Sequence, residues 1–138
     1  MTSANLDLVR SICAAWERGD FSSTDWADPE IEFVVPDGVN PARWTGLTGL
    51  AEGFRSFLSA WEGLRSEADE FREIDDERVL VLTHLSGRGK TSGLELGQVQ
   101  TKQANLLQVR DRKVIRLVIY NYREHAFADL GLTPDTGT

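Results

Sequence analysis

Three strand signals follow one another in the second half of the chain with only short turns between them. That succession constrains the fold more than any other feature. Val79 to Leu82 (VLVL) is continuous aliphatic, the pattern of a strand covered on both faces. Leu94 to Val109 is long for one strand, and Gly97 inside it predicts a bend or bulge. Lys113 to Tyr122 (KVIRLVIYNY) is the strongest strand signal of all. Arg110 to Arg112 makes the turn before it, and the glycines of GRGKTSG (Gly87 to Gly93) predict a flexible hairpin loop. Ser66 to Ile74 is polar and weakly alternating, an exposed or edge strand closed by the turn Asp75-Asp76-Glu77.

The first half supplies what such a sheet must be covered with. Val9, Ile12, Cys13 and Trp16 recur at i, i+3, i+4 and i+7, which predicts a helix near 4–18 with one apolar stripe. Thr2 or Ser3 is placed to cap it and Gly19 to end it. Phe54, Phe57, Leu58 and Trp61 repeat the stripe in a second helix near 48–62, capped by Thr48 and ended by Gly63. Between them a short helical turn from Ser23 to Ala27, anchored by Phe21 and Trp26, stops at Pro29. Ile31 to Val35 (IEFVV) reads as a strand closed by Pro36-Asp37-Gly38, and Val39 to Gly46 as a loop holding Trp44. A short helix from Glu124 to Leu130 ends at Gly131. Helices first and long antiparallel strands after give an α+β domain over residues 1–132, with Thr133 to Thr138 as a polar tail. A strongly curved sheet capped by helices leaves a concave cavity.

At 138 residues the chain has room for one core without staples. Fifteen Lys and Arg against 22 Asp and Glu give a net charge of −7. That argues against a nucleic-acid binder, which shows a basic footprint, and against a surface held to anionic lipid. The single cysteine, Cys13, excludes an internal disulfide and a multi-cysteine metal site. No apolar run approaches the roughly 18 residues of a membrane span. A soluble, cytoplasmic protein without metal or cofactor is the expectation.

Five segments in order resemble the SnoaL-like domains of the nuclear transport factor 2-like superfamily, which includes ketosteroid isomerases and polyketide cyclases. They are AAWERGDF (Ala14 to Phe21), WADPEIEFVVPDG (Trp26 to Gly38), WTGLTGLAEGFRSFL (Trp44 to Leu58), VLVLTHLSGRGKTSGLEL (Val79 to Leu96) and VRDRKVIRLVIYNYREHAFADLGL (Val109 to Leu132). The resemblance spans nearly the whole chain. It implies a cone-shaped, cystatin-like barrel: a curved antiparallel sheet wrapped around the N-terminal helices, with a deep apolar pocket. It does not imply one reaction. Where ketosteroid isomerase-like enzymes carry an aspartate base before a proline, this chain has Val35 before Pro36. Their tyrosine donor falls at Ile12 and their protonated aspartate at Asn105. Cyclases of this kind use an aspartate on a late strand, yet Lys113 to Tyr122 holds no carboxylate and the preceding strand only Glu95. Neither mechanism carries over.

What remains are individual residues. His84, just past an aliphatic strand run, is a candidate general base, against the plainer reading of a strand-end histidine. Asp37 is the candidate carboxylate; with Asp28 and Glu32 it clusters near the first strand, where solvated carboxylates are the default. His125 reads as a surface residue, and the two histidines lack metal-ligand spacing. GRGKTSG lacks the spacing of a phosphate-binding loop. Asn105 shares a strand face with Gln103, Leu107 and Val109, so its amide is placed to meet a ligand or nearby backbone. Trp16, Phe33, Phe54, Phe57, Leu107 and Ile119 are the expected apolar lining, with Asn105 inside and Asn121 or His84 nearer the mouth. Two functions stay open: binding of a small apolar molecule without catalysis, or an isomerase, cyclase or hydratase acting on one. Tyr120 and Tyr122 on the opposite face of the last strand point to a homodimer through the sheet's outer face.

Overall fold

The computed structural model describes residues 4–21, 23–38, 41–59, 61–91 and 94–132. The expected caps Thr2 and Ser3 and the tail Thr133 to Thr138 lie outside these residues. Helix α1 (Ala4–Glu17) turns Val9, Ile12, Cys13 and Trp16 inward, the stripe that its periodicity predicts. Strands β1 (Ala27–Val35) and β2 (Ala42–Thr45) follow, then helix α2 (Gly46–Ser59). Strands β3 (Trp61–Glu73), β4 (Arg78–Thr91), β5 (Leu94–Arg110) and β6 (Lys113–Tyr120) lead to helix α3 (Arg123–Leu130).

The strands form one curved, unclosed sheet in the order β2-β1-β6-β5-β4-β3. All neighbours are antiparallel except β1 and β6, which run parallel, with α2 and four strands (β2 to β5) between them in sequence. Alternation along β4 explains its unbroken aliphatic run. Val79 and Val81 join the core under α1 and α2, while Leu80 and Leu82 join a second cluster with Tyr120 and Phe127 on the outer face. That outer cluster is closed by α3, through Ala126 and Phe127. Tyr120 is therefore covered within one chain, where the sequence suggested a second subunit.

Several expectations shift. The helical turn at Ser23 to Ala27 shrinks to one bond, Ala27 N–H to the Thr24 carbonyl, because β1 begins at Ala27 to pair with Val114 of β6. The loop around Trp44 contains a strand, β2, which gains a full ladder with β1. Helix α2 stops at Ser59, and Gly63 lies inside β3: its φ of +64° sits at a register shift between Glu62 and Arg65, a bulge rather than a helix end. The expected loop at Gly87 to Gly93 is mostly ladder, since β4 and β5 stay paired out to Thr91 and Leu94. The bend expected at Gly97 is present as a bulge, with the extra β5 residue between Glu95 and Gln98. No helix among the described residues is long and apolar enough to cross a membrane.

Candidate functional site: an aromatic cavity with a polar floor

The concave face of the sheet meets α1 and α2 over rings. Trp16 packs edge-on against Phe54 at 5.9 Å and stacks on Phe21 at 6.2 Å. Behind these rings lies a narrow cavity of about 20 Å³, lined by Trp16, Phe21, Phe54, Phe57, Leu85 and Ile119. Its floor is polar but uncharged: Ser66 from β3, and Gln103 and Asn105 from β5. A single water needs about 10–15 Å³ of such space, so the cavity as it stands has room for about one.

Asn105 is opposite Val81 on one side and Ile119 on the other, both residues of the inner core, so the parity of the strand sends its side chain inward. It is 4% exposed, and its Oδ1 accepts no hydrogen bond. Thr83, opposite Gln103 on the same face, also has an unpartnered hydroxyl oxygen. Unpartnered buried oxygens are uncommon, because each forfeits its solvation.

A wider groove of about 700 Å³ lies outside the cavity, between the Gly19 to Thr24 segment and the Ala51 to Ser59 part of α2. Phe21 and Phe54 line both spaces, with ring centroids 6.2 Å apart. These two rings are the partition between groove and cavity.

From the cavity floor a chain of hydrogen bonds leads to the surface. Gln103 Nε2 donates to Asn121 Oδ1 at 2.9 Å, and Asn121 Nδ2 donates to the Asp37 carbonyl at 3.0 Å. The Asp37 carboxylate accepts from the backbone N–H groups of Asn121 (2.7 Å) and Tyr122 (3.1 Å). His125 Nδ1 stands 2.8 Å from the same carboxylate. Asp37 is thus nearly buried and ties the end of β1 to the start of α3, while the His125 side chain is half-exposed. Gly38 makes this packing possible: its φ is +93°, and a Cβ there would stand 2.5 Å from Asn121 Nδ2.

Of the residues singled out from the sequence, the fold brings Trp16, Phe54, Phe57, Asn105 and Ile119 to the cavity wall. Phe33 and Leu107 are core beside it rather than lining: Phe33 packs on Trp44 and Phe54, and Leu107 is fully buried. Asn121 reaches the cavity only through Gln103. Asp37 works as a fastener of backbone N–H groups and is not among the lining residues. His84 faces away. With Val79 and Val81 inward, parity puts His84 on the outer side with Leu80 and Leu82, where Asp69 holds its Nδ1 at 2.7 Å and Glu67 lies 3.5 Å from its Nε2. Sequence reasoning did not assign Phe21, Ser66, Leu85 and Gln103 to the site. The alternation of VLVLTHL carried the signal for Leu85, and Gln103 shares its face with Asn105. Nothing in the sequence gave the register that adds Ser66 (opposite Leu85). Among the described residues no group of three or more His, Cys, Asp or Glu is arranged to hold a metal ion.

The comparisons with known proteins agree on the fold. An NTF2-like protein of unknown function from Burkholderia pseudomallei superposes with a TM-score of 0.75 at 17% identity, over 92% of this chain and 97% of that one. TerC, co-crystallised with polyporic acid, gives 0.71 at 22% identity over 93% and 98%. A candidate polyketide cyclase from Xanthomonas campestris gives 0.69 at 18% identity over 92% and 96%. No curated protein matches the sequence. The SnoaL-like domain pattern matches residues 9–117, and with the fold above this places the chain in the SnoaL-like domain family.

Proposed function

We propose that this protein binds a small, uncharged, largely apolar molecule between α1, α2 and the concave face of the sheet. The observation that carries the reading is Asn105 Oδ1: buried in an aromatic wall, without a partner, and with no charged side chain among the cavity's lining. A ligand larger than a water displaces Phe21, which is only half-buried, and extends into the groove beyond it. A solved relative holds a small organic molecule, polyporic acid, which is consistent with this use of the fold. The reading is tested by titrating small aromatic compounds and following the fluorescence of Trp16, which lines the cavity. Binding that changes the emission supports it. Asn105→Leu is expected to weaken a polar-headed ligand by about 1–3 kcal/mol, the cost of a lost buried hydrogen bond. An unchanged affinity in that variant would falsify the assignment.

The second reading, an isomerase, cyclase or hydratase, is favoured by one feature, the Asp37–His125 pair at the end of the hydrogen-bond chain. A carboxylate holding one imidazole nitrogen leaves the other to exchange protons. Under this reading His125→Ala abolishes turnover of a bound ligand without preventing its binding. The homodimer is likewise a proposal. Since α3 already covers Val118 and Tyr120, it depends on what the outer face still shows, and light scattering at micromolar concentration reads it directly.

A further inference from the structure

We propose that Phe21 is a built-in occupant of the binding site: its ring fills the place that an aromatic ring of the ligand takes, so that binding is an exchange of one ring for another. The inference rests on the ligand-binding reading above and names the ligand class for it, a molecule carrying a flat, uncharged aromatic ring. Three observations meet on this side chain. First, its ring is held as a ligand ring would be. It lies nearly parallel to the Trp16 indole, at 14° with 6.2 Å between centroids, and stands at 76° to Phe54, again at 6.2 Å. These are the offset-stacked and edge-to-face arrangements that aromatic pairs prefer. Second, little else holds it. Phe21 is half-buried and lies between α1 and β1, outside any helix or strand, and no hydrogen bond among the described residues fixes its main chain. Trp16 and Phe54, by contrast, are nearly buried and anchored in α1 and α2. Third, the ring has somewhere to go. Phe21 lines the cavity and the groove alike, so turning about its side-chain bonds takes the ring off the cavity and into the groove, where Ala51 and Leu58 offer apolar cover.

The space that the ring leaves is a slot with the face of Trp16 on one side, Phe54 on another and the narrow cavity behind. A flat aromatic ring entering it regains both ring contacts that Phe21 gives up. A saturated ring of the same size is thicker and carries no quadrupole, so it regains neither. The exchange also sets the affinity. Phe21 competes with every ligand from within the same chain, so the unaltered protein binds more weakly than the open site would, in proportion to the fraction of molecules in which the slot is open. Trp16 and Phe54 are the residues that touch the ligand ring in this account, and Phe21 is the residue that sets what it must displace.

Calorimetric titration of the full chain with toluene and with methylcyclohexane, matched in size, tests both parts. Phe21→Ala is expected to bind toluene about tenfold tighter than the unaltered chain, because no ring has to be displaced. In that variant toluene is expected to bind about threefold tighter than methylcyclohexane, against the order of their aversion to water. Phe21→Leu keeps an apolar plug but gives up the ring contacts. It is expected to gain about threefold for toluene, and it carries the test if the alanine variant does not fold. In the unaltered chain with a labelled Phe21 ring, nuclear Overhauser contacts between Phe21 and Trp16 are expected to give way to contacts between toluene and Trp16. Toluene that binds while the Phe21–Trp16 contacts persist, or that binds no tighter in either variant, overturns the exchange and leaves the ligand-binding reading standing. Methylcyclohexane binding as tightly as toluene overturns the aromatic class alone. Binding of neither compound by any of the three proteins overturns the exchange and the ligand-binding reading together.

Discussion

At the scale of single residues, close packing decides more than polarity does. Gly53 of α2 sits against the ring of Phe33: a Cβ there would stand 2.6 Å from two of its ring carbons and 2.9 Å from Trp44. Alanine, ordinarily the better helix former, is therefore the worse residue at this position. Gly53→Ala is expected to destabilise the fold by about 1–3 kcal/mol, the range for overpacking, as read from the urea midpoint. Cys13 illustrates burial acting on chemistry. Desolvation, reinforced by the nearby Glu17 carboxylate, pushes its thiol up to about 12. It is inert as a nucleophile in the folded protein, because the thiolate is the reactive form. Labelling by a disulfide reagent at mildly alkaline pH should follow the unfolding rate; immediate labelling of the native protein would contradict the packing of α1.

At the scale of elements, α3 is held by its first turn. Arg123 donates from Nε to the Gln103 carbonyl (3.1 Å) and from Nη2 to the Thr83 carbonyl (2.8 Å) and Asp69 (2.7 Å). One side chain thus ties the helix to β5, β4 and β3. Asp37 ties the same turn to the end of β1, and Tyr120 adds a hydrogen bond from its hydroxyl to Asp129, at 2.9 Å. Burial and that carboxylate raise the Tyr120 phenol to about 12, so it keeps donating well into alkaline solution. Arg123→Ala and Asp37→Ala are each expected to cost about 1–3 kcal/mol. Both should raise hydrogen exchange along α3 before they affect α1; uniform acceleration across the chain would argue against a local fastening.

At the scale of the whole molecule, acid sensitivity converges on the junction of β3, β4 and α3. Asp69 loses some solvation there, but its hydrogen bonds to Arg123 and His84 outweigh the loss and hold its carboxyl below the ordinary 3.8. A carboxylate with a lowered folded-state pKa stabilises fully above its unfolded value. Its contribution is lost as the pH falls below 3.8 and through the lowered folded value. Denaturation midpoints of the unaltered chain should therefore drop over that window more steeply than those of Asp69→Asn, and parallel curves would refute the assignment.

The same division of scales separates what the sequence determined from what tertiary structure decided. Periodicity determined α1, the body of α2 and every strand but β2, since an apolar stripe or an alternating run has few ways to be buried; Trp61, the last residue of the expected α2 stripe, instead opens β3, and β2 lies in a stretch that reads as loop. Parity along β5 determined that Asn105 faces inward with Leu107. Register and strand neighbours lay beyond it. Placing Val35 and Pro36 at the end of β1 did not reveal that Asp37, two residues on, would meet the backbone of Asn121 and Tyr122 across 84 and 85 positions. Nor did it reveal that α3 would cover Tyr120, or that Ser66 would lie opposite Leu85. Local pattern specifies which face of an element is apolar. Which elements bring those faces together is set by long-range pairing, and the cavity exists only where they meet.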